Sequence, residues 1–173
     1  MAFKTIISRL SWRQVLIHFV AIWLFSLSFQ AFSYLHDTKL LGELIFAKQN
    51  NIDVKTIMEG KSGEELTDII YYSTIGSIAG LLVGFTISLI ISIKRKWPWL
   101  NSVLALLSIF ILGRLGISES YFLRAIFLFP GIILKSITLT VIINASILLL
   151  FGCLLFFVSN LNKSIELNKA SIV

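Results

Sequence analysis

Apolar residues fill four runs of this chain, at about 12–34, 63–93, 98–113 and 132–159, and charged residues gather between them. About 20 apolar residues make a helix long enough to cross a hydrocarbon core of about 30 Å. The pattern therefore predicts an all-α integral membrane protein, a bundle of four transmembrane helices. A short helical extracytoplasmic segment at 36–67 joins helices 1 and 2, and an interfacial segment at 114–131 joins the last two. Within the second run, Gly76, Gly80, Gly84 and Ser88 recur every four residues, which lines them up along one side of a helix. Small residues let another helix backbone come close along that side, and close packing takes over from hydrophobic burial as the force that joins helices in lipid. On this reading the second helix is the centre of the bundle.

The boundaries follow from local signals. Phe3, Ile6, Ile7 and Leu10 recur at helical spacing, with Lys4, Arg9 and Arg13 mostly elsewhere around the turn. That is a short basic amphipathic segment suited to the inner membrane surface. Ser11-Trp12-Arg13-Gln14 reads as a capping box that opens the first helix, with Trp12 at the interface. Along that helix Gln14, His18, Ser26 and Gln30 share a face, with Ile22 filling the gap, and a polar stripe in lipid should face other helices. The stretch 36–68 holds seven of the nine acidic residues, Asp37, Glu43, Asp53, Glu59, Glu64, Glu65 and Asp68. There Leu40, Leu41, Leu44 and Ile45 predict a short amphipathic helix, Asn50-Asn51 a turn, and Asp53 the cap of a second short helix ending at Gly60.

Ser62-Gly63-Glu64-Glu65 is a further capping box, so the second helix begins near Gly63 and ends at Lys94-Arg95-Lys96. At 1.5 Å per residue it is about 45 Å long, so its first two turns should project from the membrane, with Tyr71 and Tyr72 at the outer interface. Pro98 suits the first position of the third helix. That helix is short for a span, so Arg114 is expected to snorkel to the headgroups. Ser118 or Ser120 can cap a brief helix through Phe129, which Pro130-Gly131 then breaks. On the fourth helix Ser136, Thr140 and Asn144 share a face, continued by Leu148 and Gly152, and 160–173 reads as a short polar tail.

Composition and charge narrow the classes. Of 173 residues 57% are hydrophobic and 14% charged, against about a quarter charged in soluble domains. One compact membrane domain, 1–173, is expected. The net charge of +6 does not point to nucleic acid, because the cations stand at helix ends. With four spans, Lys4, Arg9, Arg13, Lys94, Arg95, Lys96, Lys163 and Lys169 all fall on one side, and short loops rich in such residues stay in the cytoplasm. The expected location is the cell inner membrane, multi-pass, with both termini cytoplasmic and the acidic segment outside. Ala31-Phe32-Ser33 resembles a signal-peptide cleavage pattern. The apolar stretch before it exceeds the ~7–15 residues of a signal peptide, so an uncleaved first helix is expected. Cys153 is the single cysteine, which leaves no intrachain disulfide.

Motifs with chemistry are few. Four spans, this length and this orientation resemble the outline of prolipoprotein signal peptidase. That family needs two aspartates near the outer face, and here the stretch from Arg114 to Lys135 has none, so the resemblance is rejected. Gly60-Lys61-Ser62-Gly63 matches the G-x-S-G of rhomboid proteases. That family places the serine inside the membrane, whereas Ser62 stands outside as a helix cap and His18 lies near the other surface. There is no HExxH, no paired-cysteine site and no P-loop, and no cofactor or metal is expected. One outward cluster, His36, Asp37, Arg114, Glu119, Arg124 and Lys135, reads as boundary charge or as a cationic site for a lipid headgroup or a partner's acidic group.

These features point first to a non-enzymatic accessory or scaffold subunit. It would pack Gly76, Gly80, Gly84 and Ser88 against a neighbouring helix, inside or outside the chain. The expected partners are the lipid bilayer and another membrane protein, or further copies of the chain. The alternative is a small oligomeric transporter or channel with Gln14, His18, Gln30, Thr140 and Asn144 lining its path, although no acidic residue lies within the spans to couple cations. A third class is a membrane lipid-modifying enzyme using the outer cluster.

Overall fold

A computed structural model describes residues 11–53, 56, 59–114 and 136–170. All the regular elements among the described residues are helical: α1 (Trp12–Ser33), a 3-10 turn (Tyr34–Asp37), α2 (Thr38–Gln49), α3 (Gly63–Lys94), α4 (Leu100–Arg114) and α5 (Ile137–Ala170). Three stretches are long and apolar enough to cross a membrane, Trp12–Asp37, Gly63–Lys94 and Thr138–Val158. The fourth apolar helix, Leu100–Gly113, is shorter. The amphipathic segment before Ser11, the interfacial segment at 114–131 and most of the second short helix near Gly60 lie outside the described residues.

The helix ends show which local signals operate. At α3 the capping box is complete: Glu65 N donates to Ser62 Oγ at 3.2 Å and Ser62 N donates to Glu65 Oε2 at 3.0 Å. At α1 only half of it forms. Ser11 Oγ accepts from Gln14 N at 3.5 Å, but the Gln14 carboxamide reaches across to Asn101 on α4 instead of folding back. A buried interhelical hydrogen bond outweighs a cap that water can replace. Asp37, expected in the outer cluster, caps α2 by accepting from Leu40 N at 2.9 Å. Asn51 takes a positive φ of 55° in the turn that follows. Lys61 closes that region onto α2 through Glu43 at 2.6 Å. Its hydrogen bond to the carboxylate raises the Lys61 pKa above the ordinary lysine value.

Two boundaries differ from the sequence reading. Pro98 precedes α4, which starts at Leu100, and the Pro98 carbonyl accepts from Asn101 N at 3.0 Å. The expected tail beyond 160 is helical as far as Ala170. The stretch holds no Gly or Pro and several good helix formers, so nothing stops the helix where the apolar run ends.

The bundle centre is α1, not α3 as expected. Half of the most apolar stretch of α1 is buried, against 17% of that of α3 and 33% of that of α5. α1 makes the main contacts with each of α3, α4 and α5. The glycines of α3 explain why: they are the groove into which α1 fits. A Cβ at Gly80 would stand 2.5 Å from the Phe25 carbonyl oxygen and 2.7 Å from Ser26 Cα. One at Gly76 would stand 2.8 Å from the Phe29 oxygen, and one at Gly84 3.1 Å from Ile22 Cα. α5 approaches from another side, where Gly152 gives room to the Phe25 ring and Ser28 Oγ donates to the Ala145 carbonyl at 2.7 Å.

The link from α3 to α4 is a tight reversal. Trp97 N donates to the Ser92 carbonyl at 2.9 Å and Lys96 N to the Ile93 carbonyl at 3.1 Å, the paired bonds of a Schellman ending. Lys96 occupies the left-handed position with φ 54°, where a side chain costs about 1 kcal/mol or more relative to glycine. Lys96→Gly is therefore expected to raise the stability of the purified protein by up to about 1 kcal/mol, read as a higher midpoint of thermal unfolding in detergent.

Candidate functional site

The tight reversal brings together side chains that the sequence spaces far apart. Ser88 and Ser92 lie one turn apart near the end of α3, Asn101 and Ser102 open α4, and Gln14 and His18 lie one turn apart on α1. His18, Ser88, Ser92, Asn101 and Ser102 are all fully buried. Buried hydroxyls and amides are costly without partners, and these bond in two sets, His18 with the three serines and Asn101 with Gln14. His18 Nδ1 lies 2.7 Å from Ser88 Oγ. Ser88 Oγ donates to Ser102 Oγ at 2.7 Å, and Ser102 Oγ lies 3.0 Å from Ser92 Oγ. Asn101 Nδ2 donates to Gln14 Oε1 at 2.7 Å. Aromatic rings close the site: Phe156 of α5 meets His18 edge-on at 5.5 Å between centroids, and Trp97 lies at 6.0 Å.

The chain of donors assigns the histidine tautomer. A serine hydroxyl has one proton, and that of Ser88 goes to Ser102. The proton between His18 and Ser88 therefore sits on Nδ1. Nε2 is then a bare acceptor, and it is one of two buried side-chain nitrogen or oxygen atoms with no hydrogen-bond partner among the described residues; the other is Asn101 Oδ1.

His18 and Ser88 stand at the separation of a base and a nucleophile, but the geometry does not make them one. Nδ1 donates to Ser88 instead of taking its proton, and both residues are sealed from solvent. Activation of a serine needs a base that accepts its proton. Among the described residues, no group of three His, Cys, Asp or Glu side chains is placed to hold a metal.

Nearer the other end of α1 the same face continues as a second polar group. Ser26 Oγ lies 2.8 Å from Ser77 Oγ, and Gln30 Nε2 donates to Ser73 Oγ at 3.0 Å. A cavity of about 350 Å³ adjoins these, lined by Ser26, Gln30 and Ser77 together with Phe19, Trp23 and Phe110 among other apolar residues. Ile22 separates the two polar groups and is fully buried.

The expected path residues are thus split. Gln14, His18 and Gln30 bond to α3 and α4. Thr140 and Asn144 are buried on α5, which packs on the side of α1 marked by Ser28, away from Ser26 and Gln30. Thr140 gives its hydroxyl to the Ser136 carbonyl of its own helix at 2.7 Å. Neither Thr140 nor Asn144 lines the cavity. Of the outer cluster, Asp37 is a cap and His36 stacks on Tyr72 with ring centroids 3.7 Å apart. The Arg114 side chain, Glu119, Arg124 and Lys135 lie outside the described residues. Ser62, the serine of the rhomboid-like G-x-S-G, serves in the capping box.

Ser92, Asn101, Ser102 and Trp97 were not legible as parts of a site. The signal available was weak: Ser92 extends the Ser88 stripe by one turn, and Asn101-Ser102 form a polar pair near the start of an apolar run. Comparison with protein-family models, curated proteins and solved structures finds no match to this chain.

Proposed function

We propose that the chain is a non-enzymatic integral membrane subunit, a four-span bundle of the inner membrane with both termini in the cytoplasm, that docks another membrane protein through the outward face of α3. The observation that carries this reading is the stripe Tyr71, Ile75, Ile78 and Leu82, exposed along α3 while the opposite side of the same helix is spent on α1. The polar stripe of α1 supports it too. Its side chains bond across helices, as packing elements do, and the fully buried Ile22 interrupts them. The glycines serve the chain's own fold, so the docking face lies elsewhere on α3.

The test is purification of the tagged protein in mild detergent, followed by native mass spectrometry. A stoichiometric membrane partner is expected. Ile78→Trp with Leu82→Trp should release it while leaving the thermal midpoint of the subunit unchanged. A lone chain, or a homo-oligomer untouched by those variants, would refute the reading. It would bring forward a small oligomeric transporter or channel, for which the cavity beside Ser26, Gln30 and Ser77 is the supporting observation. Solute flux into liposomes would measure that activity.

A further inference from the structure

We propose that the cluster at the α3–α4 turn is a binding site for one water molecule, held between His18 Nε2 and Asn101 Oδ1. Both atoms are buried, and neither receives a hydrogen bond from the described residues. Both are acceptors: Oδ1 by its chemistry, and Nε2 because Nδ1 carries the ring proton toward Ser88. A buried acceptor left without a donor costs about 1–3 kcal/mol, and two of them in one cluster call for a single group with two protons to give.

The two residues are tied to the same structure. Asn101 bonds to Gln14, which stands one turn before His18 on α1, and its neighbour Ser102 takes the proton of Ser88. A water that gives one proton to each of these atoms has two partners, within the range for buried water. Charge decides between water and an ammonium ion. No Asp or Glu lies within α1 or α4, or on α3 beyond Asp68, and an unpaired buried cation is far more costly than a neutral molecule. The site therefore takes the neutral donor. With it in place, His18 keeps its bond to Ser88 and Nε2 gains a donor.

Solid-state NMR of the isotopically labelled protein in lipid bilayers tests this directly. His36→Gln leaves His18 as the sole histidine, and His36 stands apart from the site, stacked on Tyr72. The expected spectrum is a neutral ring protonated at Nδ1, with magnetisation reaching it from water far more strongly than it reaches Ile22. A ring protonated at Nε2, or one as dry as Ile22, overturns the proposal, and this measurement needs no change within the cluster. In Asn101→Leu the water signal at His18 should vanish with the tautomer unchanged; a retained signal would overturn the bridging geometry. A change in the His18 resonance with ammonium chloride but not sodium chloride would assign the site to a cation and overturn the choice of water.

Discussion

Gly80→Ala is expected to lower the stability of the bundle by about 2 kcal/mol or more, a larger loss than the same change at Gly84 or Gly113. The added carbon would meet the Phe25 carbonyl oxygen at 2.5 Å, Ser26 Cα at 2.7 Å and the Phe25 carbonyl carbon at 2.9 Å. All three are backbone atoms, so no side-chain rotation relieves the clash. α1 and α3 must separate, which stretches the Ser26–Ser77 and His18–Ser88 contacts on either side. The intrinsic helix preference of alanine over glycine, up to about 1 kcal/mol, is too small to offset this. Gly84→Ala should cost less, because its nearest neighbours stand at 3.1 Å and include the Phe25 side chain. Gly113→Ala is the control: nothing lies within 4 Å of its added carbon, so the helix preference acts alone and stability should hold or rise. Thermal unfolding of the three variants in one detergent gives the ranking. Equal effects at Gly80 and Gly113 would show that α1 and α3 do not meet along this face.

The second large effect is expected at Ser88, the hydroxyl that joins three helices. Ser88→Ala removes the acceptor for His18 Nδ1–H and the donor to Ser102 together. Interhelical hydrogen bonds in membranes average about 0.6 kcal/mol and reach about 1.7. The imidazole N–H left without a partner in a sealed site adds to that, and a loss of about 2 kcal/mol is expected. His18→Phe alone should also destabilise, since it deprives Ser88 of its donor and fits a larger ring beside Phe156 and Trp97. The double variant is the informative one. With both polar partners gone, no buried group is orphaned by the other's removal, so the combined loss should fall short of the sum of the single losses by about 1 kcal/mol. Strict additivity would mean that the two side chains do not interact. Ser28→Ala, which breaks the separate bond to the Ala145 carbonyl on α5, should add independently to either.

The two predictions rest on features that the sequence displayed unequally. The four-residue spacing of Gly76, Gly80, Gly84 and Ser88 announced a helix face built for close approach. Yet three of those positions fit the α1 backbone while the fourth is a hydrogen-bond hub. Spacing reports which residues share a side, and size alone did not separate a serine that packs from one that bonds. The stripe Gln14, His18, Ser26 and Gln30 was visible as a polar face, and each member bonds to α3 or α4. Thr140 and Asn144, grouped with it on polarity alone, are buried on α5, which meets another side of α1. Polar residues on two helices look alike in a sequence whether they face each other or, as here, one helix packs on a different side of the other.

What the sequence determined by itself is local. Long apolar runs set which segments are helices that could cross a membrane. Ser62 and Glu65 set where α3 begins, and the absence of Gly and Pro beyond 160 lets α5 continue. Each depends on residues within a few positions of one another, where propensity and capping act. Only the tertiary structure decided that α1 is the centre, that the glycine face is filled from within the chain, and that His18 meets Ser88 across 70 positions. A small side chain permits close approach without naming the partner, and a buried polar group requires a bond without saying to what. Those choices were made by the turn at Lys96, which fixes how α4 returns to α3, and by the fit of one backbone into another's groove.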